Sequence, residues 1–194
     1  IKSFNKPIII STGLFKHNDL KKTLKFLNCK KNELAILHCI SSYPTKLVET
    51  QLSNITKLTT FGYPVGFSDH TTGREAAISA ISLGAKIIEK HITLDNNLDG
   101  PDHSSSLAVN ELSEFIKILT DLSLSINNKN RELTNAEKKN KKLVTRSLYF
   151  INNFKKSHKI SEDDIVPLRP FGNGYPIEKF KNLIGKKIRY TVKK

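Results

Sequence analysis

The sequence has no Met, no Trp, only two Cys, and five Arg against 27 Lys. Each scarcity excludes something. Two thiols, Cys29 and Cys39, cannot build a disulfide framework, so a reducing cytoplasm is the expected compartment. No apolar run approaches the roughly 20 residues that cross a bilayer, and no leader pattern opens the chain, so no membrane partner is expected. The net charge of +14 would suit a polyanion partner, but Arg is the side chain that forks onto phosphate and guanine. Its scarcity, beside 17 Asn, points to a general Lys/Asn bias instead. Solvated charge that attracts small anionic substrates is the preferred reading, with no nucleic-acid partner.

What is present is ordinary for a globular chain of 194 residues, long enough for one good core and a small satellite module. "KPIIISTG" (6–13), "LAILHCISSYP" (34–44), "PVGFSDHTTG" (64–73) and "KIIEKHITL" (86–94) read as strands, the first of them buried on both faces. Between them "NDLKKTLKFLNC" (18–29), "VETQLSNITKLTTF" (48–61) and "REAAISAISLGA" (74–85) carry apolar residues at helical spacing, the last ended by Gly84. "VNELSEFIKILTDLSLSI" (109–126) follows as a long amphipathic helix. Four strand–helix units with a period of about 25 to 30 residues predict the second half of an eight-unit parallel barrel, over residues 1–126. Four units alone would leave two open sheet edges. With Ile at position 1, this leads to the expectation of a preceding half.

Residues 127–145 are polar and basic and predict a linker with a short helix, opened by a capping box from Thr134 to Glu137. Residues 146–194 mix short strand candidates with Pro, Gly and a helix start at Ser161–Asp164, which predicts a small α+β module.

Two histidines stand out. "SDHTTG" and "EKHITL" end consecutive strands, so His70 and His91 are expected on neighbouring strand ends about 4.8 Å apart, at the rim where β/α barrels keep their active sites. Period-2 alternation puts Ser68 with His70, and Glu89 with His91, on one face each. Two imidazoles can hold a divalent metal and leave positions open, or each can merely cap its strand through a backbone hydrogen bond. The paired register favours the metal. His38 sits within an apolar strand and reads as a satisfied buried histidine, while His17, His103 and His158 show no such pairing. Asp102, on the turn "DGPDHSSS", is either turn chemistry or a carboxylate for sugar hydroxyls.

"KPIIISTG", "LHCISSYPT", "VGFSDHTTG", "IIEKHITL" and "GPDHSSSL", in this order, resemble the second half of the barrel of the sialic acid synthases. "TNAE", "RSLYF" and "LRPFGNG" resemble that family's linker and its C-terminal antifreeze-like (SAF) domain. The resemblance implies condensation of phosphoenolpyruvate with an N-acetylmannosamine-type aldehyde, giving N-acetylneuraminate, legionaminate or a relative, with release of phosphate by C–O cleavage. It implies that His70 and His91 are metal ligands for Mn2+, or for Mg2+ or Co2+ in its place. Ser11, Ser41, Tyr43 and Ser68 match phosphoenolpyruvate-site positions, Ser41 standing where some members have Asn. Glu89 and Asp102 match positions on the acceptor sugar. Arg169 matches the arginine that reaches the acceptor's N-acetyl group across a domain-swapped homodimer. The family's catalytic lysines and acids from the first barrel half have no counterpart here, so the chain alone is expected to be inactive. The alternatives are a pseudaminate synthase, a metal-dependent hydrolase or barrel lyase on the same two histidines, and a truncated remnant or sugar-binding module.

Overall fold

The computed structural model describes residues 2–127, 130–169, 172 and 174–193. It divides into two compact units, Ile1–Lys129 and Asn130–Lys194.

The first unit is built on a curled parallel sheet in the order β1 (Ile8–Ser11), β2 (Leu34–Cys39), β3 (Val65–Asp69) and β4 (Ile87–Lys90). The connecting helices are α1 (His17–Leu27), α2 (Ser53–Thr59) and α3 (Glu75–Ser82). One face of the sheet packs against them. Ile36, Val65 and Phe67 of the strands meet Leu20 and Leu24 of α1, Ile55 and Leu58 of α2, and Ala76 and Ala80 of α3. The alternation of the strands dictates this, because residues two apart share a face. The other face therefore holds Ile9, Ser11, Leu37, Cys39, Gly66, Ser68 and Glu89. Gly66 is required there: a Cβ would meet the Leu37 side chain and lie 2.5 Å from the Ile87 carbonyl oxygen. Gly84, at φ +105°, closes α3 as expected. Helix α4 (Val109–Ile126) seats Phe115 against Ala77 and Leu107, and Arg74 bridges to Glu111 and Glu114 at 2.8 Å.

Three expectations need correction. β1 is not buried on both faces: Ile8 and Ile10 reach the core, but Ile9 is 57% exposed, because β1 pairs only with β2 among the described residues. The helix expected over 48–61 is reduced to α2. Gln51, at φ +49°, separates it from a single 3-10 turn at Leu47–Glu49. The strand expected over 86–94 is broken. β4 ends at Lys90, and β5 (Ile92–Thr93) pairs in parallel with β6 (Leu107–Ala108), since the His91 carbonyl accepts from the Leu107 amide.

In the second unit, α5 (Asn135–Val144) begins with the expected capping box, Thr134 and Glu137 each satisfying the other's backbone N–H. A three-stranded antiparallel sheet follows, with β7 (Ser147–Phe150) between β8 (Ile165–Leu168) and β9 (Tyr175–Pro176). At the expected helix start Ser161 and Asp164 form a capping box on a single 3-10 turn, Glu162–Asp164, and α6 (Phe180–Leu183) is one turn. Leu148, Ile160 and Ile188 are its buried apolar residues. Of the "LRPFGNG" segment, Pro170, Phe171 and Asn173 lie outside the described residues.

Candidate active site at the strand ends

The inner faces of β3 and β4 run out together. Ser68 is the Cα partner of Glu89, and the Ser68 hydroxyl donates to Glu89 Oε1 at 2.6 Å. Two residues further along each strand, the His70 and His91 rings lie 5.5 Å apart, nearly edge to face. Tyr43 enters from the loop after β2, where its peptide bond to Pro44 is cis. Its ring lies 4.1 Å from His70 and 5.9 Å from His91. Asp102 approaches from the segment before β6, its Oδ2 3.8 Å from His91 Nδ1.

The hydrogen bonds fix the chemistry of each group. His70 Nδ1 lies 2.8 Å from the Ile40 carbonyl, an acceptor only, so Nδ1 donates this bond, and in the neutral ring the lone pair is on Nε2. The strand-capping bond on Nδ1 leaves Nε2 open, so the capping reading and the ligand reading do not exclude each other. The Thr45 amide donates to the His70 carbonyl at 2.9 Å, which ties the end of β3 to the Tyr43 loop. Burial pushes the Tyr43 phenol above its ordinary value, with the acidic groups of Cys39, Asp102 and Glu89 adding to the shift. Burial also raises the Cys39 thiol, against the lowering effect of hydrogen bonding with Ser68 and Ser41. Tyr43 is therefore a donor and Cys39 a neutral thiol at neutral pH.

The other candidates are placed less centrally. Ser41 stands against Gly13 and Cys39 at the end of β2. Ser11 closes β1 opposite Leu37. Arg169 directly follows β8 in the second unit and is exposed. His38 is a satisfied buried histidine as expected: its Nε2 donates to the Thr50 carbonyl at 2.7 Å, and burial lowers its pKa. His17 packs on Phe61, His103 meets the Thr93 hydroxyl, and His158 pairs with Asp164.

His70 and His91 are the side chains that could hold a divalent ion. Two imidazoles bound to one ion at about 2.1 Å place their centroids roughly 5 Å apart, close to the observed spacing. Among the described residues no third His, Cys, Asp or Glu completes a cluster, so remaining positions would fall to substrate or water.

Two charged residues went unnoticed in the sequence. Asp69 and Lys90, each directly before a histidine, form an ion pair of 2.9 Å buried on the helix side of the sheet. The signal was there, opposite charges at matching places in "SDH" and "EKH".

A curled parallel sheet whose strand ends gather two imidazoles, a phenol and a carboxylate has the rim of a β/α-barrel enzyme. The NeuB family profile matches residues 1–131. The chain belongs to the NeuB family, that of the sialic acid synthases. It is 33% identical to the N,N'-diacetyllegionaminic acid synthase of Campylobacter jejuni, over 96% of this chain and 57% of that protein. It is 30% identical to the pseudaminic acid synthase of Helicobacter pylori, over 94% of this chain and 54% of that protein. Among solved structures, the N-acetylneuraminic acid synthetase of Leptospira borgpetersenii in complex with citrate matches with a TM-score of 0.63 at 30% identity. That match covers 69% of this chain and 47% of the other. The chain spans about half the length of the curated relatives it matches.

Proposed function

We propose that this chain is part of a synthase that joins phosphoenolpyruvate to an N-acetylmannosamine-type aldehyde, forming a nonulosonic acid of the sialic type and phosphate. The observation that carries this reading is the meeting of His70, His91, Tyr43 and the Ser68–Glu89 pair on strand ends of a NeuB-family chain. In the balanced reaction, C3 of phosphoenolpyruvate bonds to the aldehyde carbon and the aldehyde oxygen gains a proton. Water adds at C2, and the C2–O bond to phosphate breaks.

His70 and His91 are the residues that would hold a divalent ion, Mn2+ or, in its place, Mg2+ or Co2+. Such an ion, when bound, supplies Lewis-acid polarisation of an aldehyde oxygen. Tyr43, Ser41 and Ser11 offer O–H donors to the phosphate and carboxylate oxygens of phosphoenolpyruvate. The raised phenol pKa keeps Tyr43 in that donor form. Ser68 differs, because its one proton is committed to Glu89. It meets phosphoenolpyruvate only by releasing Glu89, whose other oxygen is free to accept from a sugar hydroxyl. Asp102 accepts from a second hydroxyl. The raised pKa of Cys39 keeps it from competing as a nucleophile.

The second unit is proposed to be an antifreeze-like (SAF) domain. In a domain-swapped homodimer it would bring Arg169 of one subunit to the N-acetyl group bound by the other. Lysines and acids from a preceding barrel half would complete the site, in the cytoplasm where phosphoenolpyruvate is made. The similarity to the Helicobacter pylori enzyme supports a second reading, pseudaminate synthesis, on the same site.

The test is phosphate release by the whole protein that carries this chain, supplied with phosphoenolpyruvate, Mn2+ and one aldehyde sugar at a time. The legionaminate, sialate and pseudaminate precursors are compared. Release that requires one of these aldehydes supports the proposal and names the acceptor. Release without any aldehyde would assign a hydrolase instead, and no release with any of them overturns the reading.

A further inference from the structure

We infer that the buried Asp69–Lys90 ion pair is a positioning device for the two histidines, acting from the opposite face of the sheet. The inference rests on the reading of His70 and His91 as one functional pair. Asp69 and Lys90 are Cα partners on the last rung of the β3–β4 ladder. Beyond that rung the strands are no longer paired, and His70 and His91 are the first residues past it. Lys90 Nζ lies 2.9 Å from Asp69 Oδ2, with side-chain exposures of 4% and 0%. It donates also to the Thr71 carbonyl at 2.7 Å. The second carboxylate oxygen of Asp69 accepts from the Thr71 amide at 2.9 Å and from the Thr71 hydroxyl at 2.8 Å.

The residues on both sides of His70 are thereby pinned to each other and to the residue that precedes His91. The ion pair faces the helices, where the neighbouring strand positions are Phe67 and Ile88, both packed into the apolar core. A charge pair in such a place is weak evidence of stabilisation, since apolar residues of similar volume commonly serve a core as well or better. Fixing the direction of the strand ends gives it a purpose that packing does not. Groups that orient ligating imidazoles from behind typically change metal affinity 10–100-fold when removed.

The test compares Asp69→Asn, Lys90→Met and the double variant D69N/K90M with the parent chain. Each single substitution leaves one buried charge unpaired and lowers the unfolding midpoint. The double variant removes both charges and recovers most of the midpoint, short of the bond that Lys90 gave the Thr71 carbonyl, which separates folding from positioning. Two readouts are taken on it: imidazole 15N shifts, which report the His70 tautomer, and Co2+ affinity from its visible absorption. In the parent, the bond to the Ile40 carbonyl selects the Nδ1–H tautomer of the neutral ring. The double variant is expected to show mixed tautomers and about tenfold weaker Co2+ binding. A folded double variant with the parent's tautomer and the parent's Co2+ affinity overturns the inference. H70A and H91A serve as controls. If both bind Co2+ like the parent, the metal reading of the pair fails, while the tautomer readout still decides the positioning role.

Discussion

The Ser68 hydroxyl donates to Glu89 Oε1 at 2.6 Å on the rung of the β3–β4 ladder immediately before the last. Glu89 is exposed and Ser68 is buried, so the serine holds a solvent-facing carboxylate in one orientation before substrate arrives. A hydrogen bond to a charged group contributes about 1.5–3 kcal/mol when its geometry is good. Ser68→Ala in the whole enzyme is therefore expected to lower the unfolding midpoint and, with Glu89 no longer held, to lower kcat/KM about 10-fold. Steady-state kinetics with the acceptor varied checks this. An unaltered kcat/KM would remove Glu89 orientation from the account.

The two histidines should respond differently to substitution. His70 is buried and makes the bond to the Ile40 carbonyl, whereas the His91 side chain is 40% exposed. His91→Ala is expected to abolish metal-dependent turnover in the whole enzyme with at most a small loss of stability. His70→Ala should abolish it as well, and also cost about 0.5–1.5 kcal/mol, because the bond from Nδ1 to the Ile40 carbonyl is lost, that oxygen keeping the Ser42 amide as a donor at 3.0 Å. Urea unfolding beside phosphate-release assays resolves the two. Metal-dependent turnover surviving in either variant would sink the ligand assignment.

Much of this site was legible because it sits on strands. Four apolar runs ending in polar residues fixed the strand ends, and period-2 alternation then put Ser68, His70 and Glu89 on one face, as the structure has them. The break of the fourth strand at His91 was not legible. It depends on the Leu107 amide reaching the His91 carbonyl, a partner 16 residues later in the chain. The two-sided burial expected of β1 failed for a similar reason: an Ile-rich run signals a strand but not how many neighbours it has. Asp69 and Lys90 escaped because alternation sends them to the helix face, where a sequence reading expects apolar side chains. Each charge makes sense only with the other one present.

His38 makes stability depend on pH with a definite sign. Burial lowers its pKa from the ordinary 6.5, so the folded chain keeps it neutral where the unfolded chain would protonate it. The unfolded state then binds more protons as pH falls, and stability declines with it. The contribution is fully present above pH 6.5 and is lost as pH falls from there through the folded value. His38→Gln keeps a donor for the Thr50 carbonyl without a titrating ring. Unfolding midpoints of parent and variant, measured from pH 8 to pH 5, are expected to converge toward the acid end. Parallel curves over that range would contradict the assignment of His38 as buried and neutral.

Gly66 sets the closeness of β3 to its neighbours. It lies between Leu37 on β2 and Ile87 on β4, its Cα partners in the two ladders. A methyl group there would overlap the Leu37 side chain, which has rotamers to yield. It would also lie 2.5 Å from the Ile87 carbonyl oxygen, which is held in the sheet backbone and cannot yield. The strand must shift instead, and overpacking of this kind costs about 1–3 kcal/mol. Because Ser68 and His70 follow on the same strand and face, a shift of β3 should also disturb the site. Gly66→Ala is therefore expected to lower the urea midpoint and to weaken the Ser68–Glu89 hydrogen bond together. Loss of stability with kcat/KM intact in the whole enzyme would show that the strand absorbs the methyl group before it reaches Ser68.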